Sequence, residues 1–313
     1  MNPGADERSR AVKEFASEIG FDACGIAGAG PIDPEDRLGQ WLSSGYHADM
    51  DWMKATKAIR QDPRIKMPGA RSVVVVARNY FHPDPEAGPG TGKVARYARG
   101  RDYHKVLKKP LIKLARFLDD FGVVSPSYAA VDSGPVMERA WAERAGLGWI
   151  GKNSLVLRRD IGSWFFLGAV ITEVALAPDR PVANRCGTCR ACLDACPTDA
   201  FVREGVLDAR KCISYQTIEN RGDIPEDVQG NMKGWVFGCD ICQEVCPWNR
   251  FEQTSTEPDF APRKGQAFPK LEELAGSNEE TFNERFAGTP IRRTKHAGMA
   301  RNAKVLLGSE KKT

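Results

Sequence analysis

Between Cys186 and Pro197 the chain reads CGTCRACLDACP, the pattern C-x2-C-x2-C-x3-C-P. Four thiols this close together demand a tight loop around a metal centre. Such a loop can wrap three corners of a [4Fe–4S] cube. In two-cluster ferredoxins the fourth thiolate is carried off to the other cluster. A shorter echo, CDICQEVCP, runs from Cys239 to Pro247 and lacks its first member. Cys212, displaced upstream, supplies it. The spacing therefore predicts Cys186, Cys189, Cys192 and Cys246 around one cluster. Cys196, Cys212, Cys239 and Cys242 surround the other. Two zinc sites are the competing assignment, and the ferredoxin spacing argues against them. The pattern implies low-potential electron transfer and leaves the acceptor open.

Eight of the nine cysteines lie between 186 and 246, and Cys24 stands apart beside Gly25 and Ile26. The bland reading of Cys24 is a small, buried side chain. The longest apolar runs, Val73–Ala77 and Trp164–Thr172, fall short of the roughly 18–20 residues that cross a bilayer. The N-terminal stretch MNPGADERSRAVKEF has no apolar signal core. A soluble cytoplasmic protein with reduced thiols is expected.

Net charge is only +4, but it is unevenly placed. Nine Lys/Arg and one acid, Asp102, fall between Lys93 and Arg116. Seven Lys/Arg and one acid, Glu310, fall between Ile291 and Thr313. Two basic segments on an otherwise acidic chain suggest a polyanionic partner. Solvated helix faces explain the same charges equally well.

Periodicity predicts an amphipathic helix over 6–20 and a buried strand over 72–77, SVVVVA. Residues 81–92 read as a loop from their Pro and Gly content. Leu107, Leu111, Leu114, Leu118 and Phe121 recur at helical spacing, with Pro110 near the helix start or at a kink. Residues 127–131, 154–158 and 164–174 read as extended. A helix is expected over 135–145, with Pro135 in its first turn and Gly146 at its end. After Trp248 the chain reads as polar and irregular until a basic tail.

Gly146-Leu-Gly-Trp-Ile-Gly151-Lys152-Asn153 matches G-x-G-x-x-G and nearly matches a P-loop. Both motifs need a strand before and a helix after, and here the order is reversed. Nucleotide binding is rejected, and the glycines are read as a tight turn or a close backbone approach. Asp132, in VDSGP, joins strand to helix. It is read either as a helix N-cap or as a carboxyl group at a pocket mouth that can supply a proton. Arg139, on the following helix, and His104, in GRDYH, are further candidates.

Together, RYARGRDYHKVL, VDSGPVMERAWAERAGLGWIGKNS, GSWFFLG, CGTCRACLDACPTDAF, CISYQTIE and GCDICQEVCPWN resemble the epoxyqueuosine reductase family, from about residue 10 to 310. The resemblance implies an α/β (α+β) fold. A nitroreductase-like, cobalamin-binding catalytic domain at 1–178 would precede a two-cluster ferredoxin module at 179–252. A basic, mostly helical segment at 253–313 would contact tRNA. The substrate would be tRNA carrying epoxyqueuosine at the wobble position, and the reaction removes the epoxide oxygen as water. Asp132 would be the proton donor, and His104 and Arg139 would lie near the substrate. The matching cobalamin-contact positions are Arg60, Ala95, Asp132, Val156, Leu167 and Ser214. The chain has no D-x-H-x-x-G, which fits a base-off cobalamin without a protein histidine ligand. Some members carry a C-terminal helical-repeat extension, and this sequence stops at Thr313, so fewer residues would contact tRNA.

An epoxide oxygen leaves poorly unless it is protonated, so the family's chemistry needs an acid beside the developing alkoxide. Burial beside an apolar corrin would help Asp132 keep its proton. The clusters would feed electrons to cob(I)alamin from an external donor of flavodoxin or ferredoxin type, in a monomer without membrane contact. A reductive dehalogenase and a flavin nitroreductase fused to a ferredoxin are the rival readings.

Overall fold

The apolar run 73–77 forms the middle of an antiparallel sheet in the computed structural model, which describes residues 4–310. Strand Ser72–Asn79 pairs with Ala23–Gly28 on one side and Phe165–Thr172 on the other. Tyr128–Ala130 pairs outside Phe165–Thr172 and completes four strands. A strand covered on both faces reads as a continuous apolar run rather than an alternating one. Val74 and Val76 face helices Ala5–Glu18 and Tyr103–Asp119, through Val12, Leu107, Leu111 and Leu114. Val73, Val75 and Ala77 face the other way, onto Trp141 and Ala142 of helix Glu138–Arg144.

Two helices differ from the expectation. The leucine-bearing helix starts at Tyr103, so Pro110 lies inside it. The proline removes one backbone hydrogen bond, and a buried leucine stripe with Asp102 as N-cap compensates. The helix expected over 135–145 spans only Glu138–Arg144, with Met137 at its N-cap position. Residues 131–135 bend and 136–137 are irregular instead, which frees Asp132 from the helix.

The glycine-rich run forms the hairpin Trp149–Ile150/Val156–Leu157, closed by Gly151 N–H to Leu155 at 2.8 Å. Gly146 has φ +66°, and a Cβ at Gly148 would strike the Leu157 carbonyl. Close backbone approach, not phosphate binding, accounts for these glycines.

The stretch after Trp248, expected to be irregular, holds helices Leu271–Gly276 and Glu279–Arg285 ahead of helix Lys295–Glu310. Leu271, Phe282, Phe286, Ile291 and Met299 share one core with Ile213, Trp235, Val236 and Phe237. Val94 and Ala98 belong to the same core. The C-terminal segment is thus packed against both the cysteine region and the N-terminal part. Among the described residues no helix is long and apolar enough to cross a membrane.

Candidate functional site

The cysteine loops are tight. Cys189 N–H donates to the Cys186 carbonyl at 3.1 Å, and Cys246 N–H to Gln243 at 3.0 Å. Short helix Ala191–Asp194 follows the first loop, and short helix Ile241–Glu244 leads into the second. Cys186, Cys189, Cys192 and Cys246 line one cavity of about 210 Å³, walled by Leu157 and Trp248. Burial pushes the Cys192 thiol up to about 11, and its neighbours Cys246, Cys186 and Cys189 add to the effect. Burial likewise raises Cys239, with Cys212 and Cys196 acting on it. Cys242 is raised by burial and then by Cys239 and Cys212, with Cys192 further down the order. Four thiols thus share one cavity, and Cys196, Cys212, Cys239 and Cys242 lie near one another beside it. Among the described residues no three His, Cys, Asp or Glu side chains converge on a single-ion site. A cube places each thiolate on its own iron and needs no such convergence. Cys24 lies elsewhere, and burial pushes it up to about 12.

Asp132 sits at the end of the sheet with φ 49°, a left-handed conformation unusual for a residue with a side chain. The capping alternative fails on position, because the helix begins six residues later at Glu138. The Tyr103 hydroxyl donates to Asp132 Oδ2 at 2.5 Å. His104 Nε2 is 3.9 Å from the same oxygen, while its Nδ1 lies 2.8 Å from Asp102 Oδ1. Tyr103 is held by stacking on Phe166, with centroids 4.3 Å apart. The Asp132 side chain is 68% exposed, so the protein alone does not bury it.

Two further groups close on Asp132. Glu138 accepts the Asp132 N–H at 3.1 Å. Burial first, and the Asp132 charge second, push its carboxyl up to about 7. Arg139 donates to the Ser154 carbonyl at 2.6 Å. Loss of solvent lowers its basicity, partly offset by Asp132 and Glu138. Its side chain is nonetheless accessible.

Arg60 feels Glu138 and Asp132 and donates to the Val136 carbonyl at 3.2 Å. Ala95 and Val156 are buried, and half-buried Leu167 packs against the core that includes Val156. Ser214 lies two residues beyond Cys212, in helix Ile213–Ile218. Near Arg139, the Ser154 hydroxyl is buried without a hydrogen-bond partner.

The basic segments divide by partner. Arg96 and Arg99 turn inward onto Asp84, and Arg101 pairs with Asp259 at 2.8 Å. Lys105, Lys108, Lys109 and Lys113 stay exposed along one helix. In the C-terminal segment Arg301 donates to the backbone carbonyls of Gln216 and Asn220, a structural role. Arg293 pairs with Glu219 at 2.9 Å and lies over the Trp52 ring at 5.3 Å. Glu219 dominates its raised basicity, and Asp132 and Tyr103 act on it more weakly. Arg293 therefore belongs to the surroundings of Asp132, far as it is in sequence.

Tyr103, Glu138 and Arg293 were missed by sequence reasoning. Tyr103 stood within the quoted GRDYH and Glu138 within VDSGPVMER, but neither carries a signal of its own. Arg293 is read from sequence only as part of the basic segment expected to contact tRNA.

The family model described as epoxyqueuosine reductase QueG, DUF1730 matches residues 60–133, and a 4Fe-4S double cluster binding domain matches residues 185–249. An epoxyqueuosine reductase of Synechocystis is 49% identical over 274 residues, covering 87% of this chain and 94% of that one. The epoxyqueuosine reductase of Escherichia coli is 42% identical over 309 residues, covering 97% of this chain and 82% of that one. A crystal structure of epoxyqueuosine reductase with an epoxyqueuosine-modified tRNA stem loop matches with TM-score 0.87 at 32% identity, covering 96% of this chain and 80% of that one.

Proposed function

The chain belongs to the epoxyqueuosine reductase family, and from that premise we propose that it reduces epoxyqueuosine in tRNA to queuosine. The overall change takes up two electrons and two protons and releases the epoxide oxygen as water. Cys186, Cys189, Cys192 and Cys246 would hold one [4Fe–4S] cluster. Cys196, Cys212, Cys239 and Cys242 would hold the other. A cavity lined by the first four thiols fits such a group.

The walls around Asp132 suit a large, mostly apolar cofactor with polar edges. Half-buried Leu167 offers apolar surface at the edge of the core that holds Val156, and the unpartnered Ser154 hydroxyl offers a polar contact. Arg60, Ala95, Asp132, Val156, Leu167 and Ser214 would hold a base-off cobalamin in a nitroreductase-like core, with no protein histidine below the metal. When bound, cobalamin would supply the low-potential reducing equivalents that open the epoxide. Ser214, close in sequence to the ligand Cys212, would link the second cluster to that site.

Asp132 donates the proton to the epoxide oxygen as it leaves. Tyr103 orients the carboxyl group through Oδ2, and Glu138 holds the loop through the Asp132 N–H. His104 and Arg139 flank the substrate, and Arg139 supplies positive charge to the developing alkoxide. The observation that carries this reading is the Tyr103–Asp132 hydrogen bond beside Arg139, in a chain of this family. The exposed lysines of helix Tyr103–Asp119 and Arg292 meet tRNA phosphates. A cytoplasmic monomer fed by a flavodoxin- or ferredoxin-type donor completes the reading. The test is anaerobic reconstitution with iron, sulfide and cobalamin, then reaction with epoxyqueuosine-tRNA. Nucleoside mass analysis must show loss of one oxygen; unchanged nucleoside from fully loaded protein would overturn the proposal.

A further inference from the structure

The cavity lined by Cys186, Cys189, Cys192 and Cys246 shares Arg185 and Trp248 with a second, larger surface cavity of about 650 Å³. Cys189 is the one exposed thiol among the described cysteines. The rim is positively charged. Arg159, Arg185 and Arg250 are exposed and have no carboxylate partner among the described residues. The only carboxylate lining either cavity, Asp160, is already paired with Arg158 at 2.6 Å. The centre is apolar: Val182 is 40% exposed and Phe251 39%. Phe251 lies against Trp248, with ring centroids 6.1 Å apart, and under the Arg250 guanidinium at 4.6 Å. Trp149, buried in the cavity wall, leaves its indole N–H without an acceptor.

We propose that this face is the docking surface for an acidic electron-carrier protein, which delivers electrons at the exposed edge of the Cys186–Cys189–Cys192–Cys246 site. The inference rests on the cluster-bearing reading above. Electron tunnelling falls steeply with distance, so a carrier must dock where a cluster ligand reaches the surface, and Cys189 does. An apolar centre ringed by polar groups is the anatomy of a protein–protein contact. Unpaired arginines steer an acidic partner and add anchoring contacts. RNA is the other polyanion available, but the cations assigned to it above, near Asp132 and on helix Tyr103–Asp119, line neither cavity. Each encounter oxidises the carrier by one electron and reduces the cluster by one. Two encounters supply the two electrons that one epoxide consumes.

The experiment uses the full chain loaded with both clusters and an acidic flavodoxin as probe. Flavodoxin affinity is measured by calorimetry at several salt concentrations. The double variant Arg159→Glu/Arg250→Glu should weaken binding about tenfold or more and flatten its salt dependence. Iron content, bleaching by dithionite and tRNA affinity should stay at the wild-type level. Phe251→Ala should also weaken flavodoxin binding, without changing its salt slope. If the charge-reversed protein loses iron, Phe251→Ala and the milder Arg159→Gln decide by the same criterion. Unchanged flavodoxin affinity in the iron-replete variants overturns the proposal. So does weakened tRNA binding with intact flavodoxin binding, which would make the face an RNA surface. Turnover driven by dithionite is scored separately, so its failure would count against the catalytic reading and not against the docking surface.

Discussion

The Tyr103 hydroxyl donates to Asp132 Oδ2 across 2.5 Å, joining the start of one helix to the end of the sheet. Tyr103 is 8% exposed and wedged against Phe166. The rigid ring holds a solvent-accessible carboxyl group in one orientation. Asp132→Asn preserves that shape and removes the transferable proton. Turnover should fall by about 100-fold or more, the scale of a lost general acid, with tRNA affinity unchanged. Tyr103→Phe keeps the stacking and removes the hydrogen bond, so a smaller loss, about tenfold, is expected in single-turnover rate. Near-normal turnover in both variants would remove Asp132 from the chemistry.

Glu138 should report pH. Its folded carboxyl titrates at about 7, above the ordinary value of 4.5, because of burial and then the Asp132 charge. Arg60 partly opposes this, and Arg139 also faces the pair. A raised folded value means that the folded state binds the proton more tightly than the unfolded one. Stability from this group is therefore present below pH 4.5 and is lost as pH rises toward 7. Glu138→Gln keeps an acceptor for the Asp132 N–H and cannot ionise. It should lose less stability than wild type between pH 5 and 8, by on the order of 2 kcal/mol. Chemical denaturation at both pH values measures this; identical slopes would show that Glu138 does not titrate in that window.

The cysteine groups make separable predictions. Two cubes require eight irons, so Cys212→Ser should cost up to about half of the iron. The cluster at Cys186, Cys189, Cys192 and Cys246 should keep its electron paramagnetic resonance signal. Cys24→Ser should leave iron unchanged. Because burial holds the Cys24 thiol near 12, iodoacetamide should not label it in the folded chain. Full iron retention in the Cys212 variant would overturn the assignment.

Arg292 and Arg293 should separate, although they are adjacent. Arg292 is exposed, with only a 3.3 Å contact to Asn283. Arg292→Ala should reduce the salt slope of tRNA binding by about one phosphate contact. Arg293→Ala removes the Glu219 pair and the cover over Trp52 beside Asp132. It should alter single-turnover rate as well as affinity. Equal effects of the two variants on rate and affinity would show that both are plain surface charge.

Lys105, Lys108, Lys109 and Lys113 should act as a group. Lys105→Glu/Lys109→Glu should weaken tRNA binding steeply at low salt and much less at high salt. Arg101→Gln/Asp259→Asn, which removes an ion pair of zero net charge, should add little. Parallel salt plots for wild type and the lysine variant would make this helix face a solvated surface only.

What the sequence determined by itself was whatever depends on short spacing. A double-cluster domain could be read from C-x2-C-x2-C-x3-C-P and its echo, because a few residues of loop bring several thiols round one cube. The run 73–77 read as a buried strand because every side chain is apolar, which happens only when both faces are covered. Gly146 and Gly148 read as close approach because no side chain fits there. Tertiary structure decided what surrounds Asp132 and which charges are free. Tyr103, Glu138 and Arg293 meet there from three elements, and no local pattern records such a meeting. Charge counting gave Arg96, Arg99 and Arg101 the same weight as Lys105 and Lys109. Only the fold brings Asp84 and Asp259 to the first three, because an ion pair depends on distance in space, and sequence lists charges without their partners.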